Sequence, residues 1–143
     1  MIEKIESEEK VLAIIIRRDF NEDGIHFFTP PSYSQQLGYM NRPSGYIIEP
    51  HVHNKVERTV DYTQEVLFIK SGKVRADFYS DGKVYMESVV LNKGDVILLA
   101  SGGHGFTMLE DSEMIEVKQG PHAGEADKTR FSAGSEKKSA LEK

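Results

Sequence analysis

The chain is 143 residues long with a formal net charge of -5, enough length for one domain with its own core and too acidic to offer nucleic acid a basic face. It contains no cysteine, which excludes disulfides and thiolate ligands and leaves imidazole and oxygen as donors for any metal. The longest apolar run, residues 11–16, is too short to cross a bilayer, and the acidic start is unlike a signal peptide, so a cytoplasmic protein without a membrane or nucleic-acid partner is expected.

Taken in chain order, residues 1–10 are charged and are expected to form a loose arm, followed by a β-branched run at residues 11–16 that reads as a first strand. Residues 21–44 carry Thr29-Pro-Pro31, Gly38 and Arg42-Pro43, which forbid a long helix. They read as a connection, with Phe27, Phe28, Tyr33, Leu37 and Tyr39 as anchors that let it pack as a lid. From Gly45 onward short strands are expected at residues 46–51, 65–71, 73–79, 83–91, 96–99, 104–109 and 113–118. Ser71-Gly72 and Asp81-Gly82 suit tight hairpins because glycine accepts positive φ, and Asn92-Lys-Gly94 suits a longer turn. Alternation is clearest in residues 73–79, where Val74, Ala76 and Phe78 share one face and Lys73, Arg75 and Asp77 the other. Many short strands without an amphipathic helix predict an all-β sandwich or barrel over residues 11–131. Residues 132–143 are polar and are expected to be a disordered tail.

Four residues stand out as metal donors. His51 and His53 are two apart on an expected strand, so both imidazoles share a face and can reach one cation. Glu65 opens an apolar strand, where an acid needs a reason to be. His104 lies in Ser101-Gly-Gly-His-Gly-Phe106, whose glycines permit a close turn that brings the ring toward the interior. Three imidazoles and one carboxylate suit a first-row transition metal and leave positions for water or substrate. His26 and His122 read as ordinary polar residues. Arg58, Gln64, Arg75 and Lys118 read as solvated strand or loop groups, with a place around the barrel mouth as the alternative. Tyr46, Phe68, Phe78 and Phe106 read as core ahead of pocket wall. The segment from Glu116 to Pro121, with Gly124, Asp127, Lys128 and Arg130 after it, reads either as an anion clamp or as a strap that closes the sandwich or a dimer.

In this order the donors resemble the cupin superfamily. Its first motif is matched by Gly45-Tyr-Ile-Ile-Glu-Pro-His51-Val-His53, then Glu65, then Gly72, and its second by Gly94-Asp-Val-Ile-Leu-Leu-Ala100-Ser-Gly102-Gly-His104. The departures are a longer spacer between His53 and Glu65, Ala100 where the motif has proline, one residue fewer before His104, and Met108 where the motif has asparagine. Glu57 matches the shorter motif spacing but lacks the apolar strand and glycine that follow Glu65, and it stands as the fallback ligand. The resemblance implies a double-stranded β-helix, or jelly-roll barrel, and one divalent transition metal, iron, manganese, nickel or zinc, held by His51, His53, Glu65 and His104. It also implies a homodimer. The function it implies is a metalloenzyme of oxygenase or isomerase/lyase type acting on a small polar metabolite. The alternatives are a non-catalytic module that binds or senses a small ligand, and a metal-independent sugar epimerase or isomerase.

Overall fold

The computed structural model describes residues 1–8 and 10–132. Among these the chain is all β apart from one 3-10 turn at Gly124–Asp127. The strands are β1 (Ile2–Ser7), β2 (Lys10–Ile16), β3 (Gly24–Phe27), β4 (Gly38–Asn41), β5 (Glu65–Ser71), β6 (Lys73–Tyr79), β7 (Tyr85–Asn92), β8 (Val96–Leu99), β9 (Gly103–Met108) and β10 (Glu113–Lys118). They build a five-stranded sheet in the order β1-β2-β8-β5-β10, a three-stranded sheet in the order β7-β6-β9, and the hairpin β3-β4. Every pairing is antiparallel. Among the described residues no helix is long and apolar enough to cross a membrane.

Alternation decides what each strand buries. Ile15, Leu67, Ile69, Ile97 and Leu99 of the larger sheet meet Val74, Ala76, Phe78 and Leu91 of the smaller one in a single core. The intervening residues Ile14, Ile16 and Leu98 point out of the larger sheet, where Leu37 joins them and Phe20, Phe28 and Tyr33 pack against them. The connection at residues 21–44 therefore does cover the sheet as a lid, and it contains a hairpin that the proline and glycine punctuation concealed. Gly38 lets that hairpin close on Phe27, since a Cβ there would lie 2.8 Å from the ring.

Three local readings need correction. Residues 2–7 are not a loose arm but an edge strand paired with β2, and a bulge at Ile5/Glu6 resets which side chains face inward. That reset removes the period-of-two pattern by which a strand is recognised. In the turn after β6 the left-handed residue is Lys83, at φ 67°, rather than Gly82. Residues 46–51 form no strand: residues 42–63 carry no regular structure and all of them are exposed. A strand needs a neighbour to pair with, and among the described residues this segment has none. The tail expected at residues 132–143 lies, beyond Ser132, outside the described residues.

The two main sheets do not close into a barrel. The larger ends at β10 and the smaller at β9, and among the described residues neither strand has a partner on its far side.

Candidate functional site

Both open edges border one polar cluster. On β5, Glu65 lies in register with Leu67 and Ile69, which are buried in the core, so period-of-two alternation aims its carboxylate inward. On β9, Phe106 packs against that same core and His104, two residues earlier, shares its face. The two side chains meet, His104 Nε2 lying 2.9 Å from Glu65 Oε1. On β10, Lys118 stands opposite Glu65 and Glu116 opposite Leu67, so both belong to the inward row.

The electrostatics separate the two carboxyls. Glu65 is lowered from the ordinary 4.5 to about 2, first by its hydrogen bond with His104, against the opposing effect of burial, and then by a hydrogen bond with Glu116 and the charges of His104 and Lys118. Glu116 is raised, first by that hydrogen bond with Glu65, then by burial and the charge of Glu65, with Lys118 and Lys128 acting the other way. Glu65 is thus the ionised member and Glu116 the one that takes a proton more readily. An ionised carboxylate only accepts hydrogen bonds, so the shared proton between Glu65 and His104 resides on Nε2.

Local backbone fixes these positions. Gly102, at φ 71°, could not carry a side chain, because a Cβ would lie 2.5 Å from the Tyr79 carbonyl oxygen. The chain turns there and enters β9 with His104 opposite Phe78. Before β5, buried Gln64 donates through Nε2 to the Ala100 carbonyl (3.2 Å) and accepts at Oε1 from the Gln35 amide (3.0 Å). Its own amide donates to Gln119 Oε1 (2.7 Å), and Gln119 Nε2 donates to Ser34 Oγ (2.7 Å). This clasp ties the start of β5 to the exit of β10 and the end of β8.

His51 and His53 lie elsewhere, side by side on the exposed segment with ring centroids 5.2 Å apart. His51 Nδ1 donates to the Glu49 carbonyl at 2.9 Å, so in the neutral ring it is Nε2 that carries the lone pair. Glu57 is exposed on the same segment. A single copy therefore brings Glu65 to His104 and His51 to His53 but does not unite the two pairs. Among the described residues no three His, Asp or Glu side chains are grouped to hold a metal ion.

The remaining sequence candidates divide by face. Lys118 borders the site, whereas Gln64 belongs to the clasp. Arg75 lies on the outer face of the smaller sheet, fully buried, where it donates to Asp77 Oδ1 (3.1 Å) and Thr107 Oγ1 (2.9 Å). Phe68 points outward, Phe78 is core, and Tyr46 and Arg58 are exposed on the unpaired segment. Glu116 is a residue that the sequence placed only within a segment read as an anion clamp or a strap, without a role of its own. Its signal is the alternation Met114, Glu116, Lys118, which sets an acid and a base on the same face of β10.

Compared with family models, with curated proteins and with solved structures, the chain matches none.

Proposed function

We propose that the chain is a metal-binding protein of cupin type, in which His51, His53, Glu65 and His104 hold one divalent transition metal and a small polar metabolite binds beside it. The observation that carries this reading is the 2.9 Å approach of His104 to an ionised Glu65, on strands of two different sheets at an open mouth. The donor chemistry fits: the neutral His51 ring carries its lone pair on Nε2 with His53 beside it, and Glu65 is ionised without help from a cation. The antiparallel sandwich supports the jelly-roll part of the reading, since β9 and β10 are the edges at which a further strand would extend the sheets toward closure.

When bound, such a cation supplies Lewis acidity or a centre reactive toward dioxygen. The chain's own residues supply the rest. Lys118 offers a cation to an anionic substrate group, Glu116 takes up a proton more readily than an ordinary carboxyl, and Phe106 walls the inner side of the mouth.

Elemental mass spectrometry on protein purified without chelator tests the reading. Near-stoichiometric metal is expected, and His51→Ala with His104→Ala should abolish it while far-ultraviolet circular dichroism stays β-rich. Undiminished metal in that double variant would overturn the ligand assignment. A second reading rests on the opposed shifts of Glu65 and Glu116, which suit metal-independent acid–base chemistry. Turnover that survives exhaustive chelation would favour it.

A further inference from the structure

The sandwich carries a second polar cluster at the end away from Glu65 and His104. Gly72 follows the last residue of β5 and Glu110 lies just past β9, so both stand about 20 Å along the strands from the mouth. They border a groove of about 530 Å³, within the range of roughly 300–1,000 Å³ over which small-molecule sites are found. Three carboxylates line it, and each is already matched. Asp19 accepts from the α-amino group of Met1 at 3.2 Å, Asp95 accepts from Arg17 at 2.9 Å, and Glu110 lies 3.7 Å from Lys73 Nζ. Two further cations, Arg18 and Lys93, line the same groove. The charge of Arg18 is felt at Asp19, yet among the described residues neither Arg18 nor Lys93 has a carboxylate in ion-pair contact. The side-chain amide of Asn92 is likewise without a hydrogen-bond partner among the described residues. A chain of net charge -5 therefore gathers two unmatched positive charges in one concavity, where they repel each other until an anion lies between them.

The backbone that carries these groups is held from one point. Asp95, almost fully buried, accepts from the amides of Asn92 (2.7 Å) and Arg18 (2.9 Å), and so locks the turn after β7 to the exit of β2. Gly94 sits in that turn at φ 93°, and a Cβ there would lie 2.8 Å from Arg18 Cβ. The stem of Arg18 therefore lies against the turn that presents Lys93. With the backbone fixed in advance, a ligand orders only side-chain tips, which keeps the entropy cost of binding low.

We propose that this groove binds a phosphate group, free or carried by a small molecule, between Arg18 and Lys93. The guanidinium offers a planar fork to two phosphate oxygens, the ammonium a point charge, and the Asn92 amide a neutral donor. A phosphate dianion matches two cations in charge and has oxygens for all three groups, whereas a carboxylate has one charge and two oxygens. A long polyanion is excluded by the acidity of the rest of the chain. The assignment uses no residue of the Glu65–His104 mouth and is independent of the metal-binding reading.

Amide NMR spectra of the full metal-free chain test it, with glycerol 3-phosphate, inorganic phosphate and glycerol titrated at an ionic strength held constant with sodium chloride. Both phosphates should give saturable shifts at the amides of Arg18, Asn92 and Lys93, and glycerol none. Tighter binding of glycerol 3-phosphate would assign the groove to a phosphorylated small molecule, and equal binding to the free ion. Arg18→Gln and Lys93→Gln should each weaken binding about tenfold, and the pair about a hundredfold. Arg18→Lys, which keeps the charge and loses the fork, should restore only part of the loss. All three side chains changed here are exposed or flank exposed backbone, and the same spectra report that each variant keeps its fold. Lys118→Gln, at the mouth, should change nothing. Shifts that fail to saturate by about 10 mM, or that chloride alone reproduces, would overturn the proposal. So would phosphate binding that survives the double variant and is lost in Lys118→Gln, because the anion would then belong to the mouth.

Discussion

Glu65 is the residue on which the site turns. It lies in a row that otherwise builds the core, its side chain is only 12% exposed, and it remains charged because His104 and Glu116 both hydrogen-bond to it. In the metal-free protein this has a pH signature. Its carboxyl is held at about 2 against 4.5 when unperturbed, so its contribution to stability is complete above pH 4.5 and is lost as the pH falls toward 2. Glu116 has the opposite sign: its raised carboxyl favours the fold at low pH, and that contribution fades as the pH rises through its folded value. Urea unfolding of metal-free protein between pH 2 and 4.5 should therefore show a weaker acid-side loss of stability in Glu65→Gln than in wild type. Glu116→Gln, which cannot take up the extra proton, should show a steeper one. Parallel curves for all three proteins would mean that neither carboxyl is perturbed as described. That Glu65 is out of place in a core row was legible in the sequence, because an acid at the head of an apolar strand is anomalous. Its partnership with Glu116 was not, because that depends on the register of β10 against β5, which no local pattern encodes.

At the scale of elements, the strands most legible in the sequence are short apolar or alternating runs bounded by turn signals. β5, β6, β8 and β10 occupy the expected residues, whereas β1 was concealed by its bulge and the β3-β4 hairpin by the prolines between its arms. Turns were legible as positions but not as chemistry. Gly94, at φ 93°, was expected, but the residue that organises its turn is Asp95, almost fully buried. Its carboxylate accepts from the amides of Asn92 (2.7 Å) and Arg18 (2.9 Å) and from Arg17 Nη1 (2.9 Å), and so joins the β7-β8 turn to the end of β2. Arg17 in turn donates to Glu3 on β1 (2.5 Å) and to the Val90 carbonyl on β7 (2.7 Å). Asp95→Ala leaves two amides and a guanidinium short of an acceptor where water has little access. Loss of one partner from such a network costs about 3 kcal/mol. Denaturant unfolding should register that loss with an unchanged slope, and a change below about 1 kcal/mol would show that water replaces the carboxylate freely.

At the scale of the whole molecule, the same fact underlies both the open sandwich and the divided set of donors: the expected strand at residues 46–51 has no neighbour among the described residues of one copy. The sequence places a short strand at residues 46–51 as one of a series bounded by turn signals, but turn signals mark where a strand could run and not what it pairs with. Alternation specifies a face to be covered but not which chain covers it. If the cover comes from a second copy, folding and association are one equilibrium, and thermal stability must depend on protein concentration. For a dimer of this size a tenfold rise in concentration adds about 1.4 kcal/mol per dimer and should raise Tm by about 2–5 °C. Ile115→Lys with Val117→Lys places charges on the outer face of the β10 edge, away from the inward row of Glu116 and Lys118. These changes should weaken association while leaving the core of each copy intact, so the variant's Tm should be lower at a given concentration and its concentration dependence should persist until dimers vanish from light scattering. Calorimetry across a hundredfold range of concentration measures both proteins on one scale. A wild-type Tm that does not move over that range would mean that each copy covers its own segment, and the site would then have to be completed within one chain.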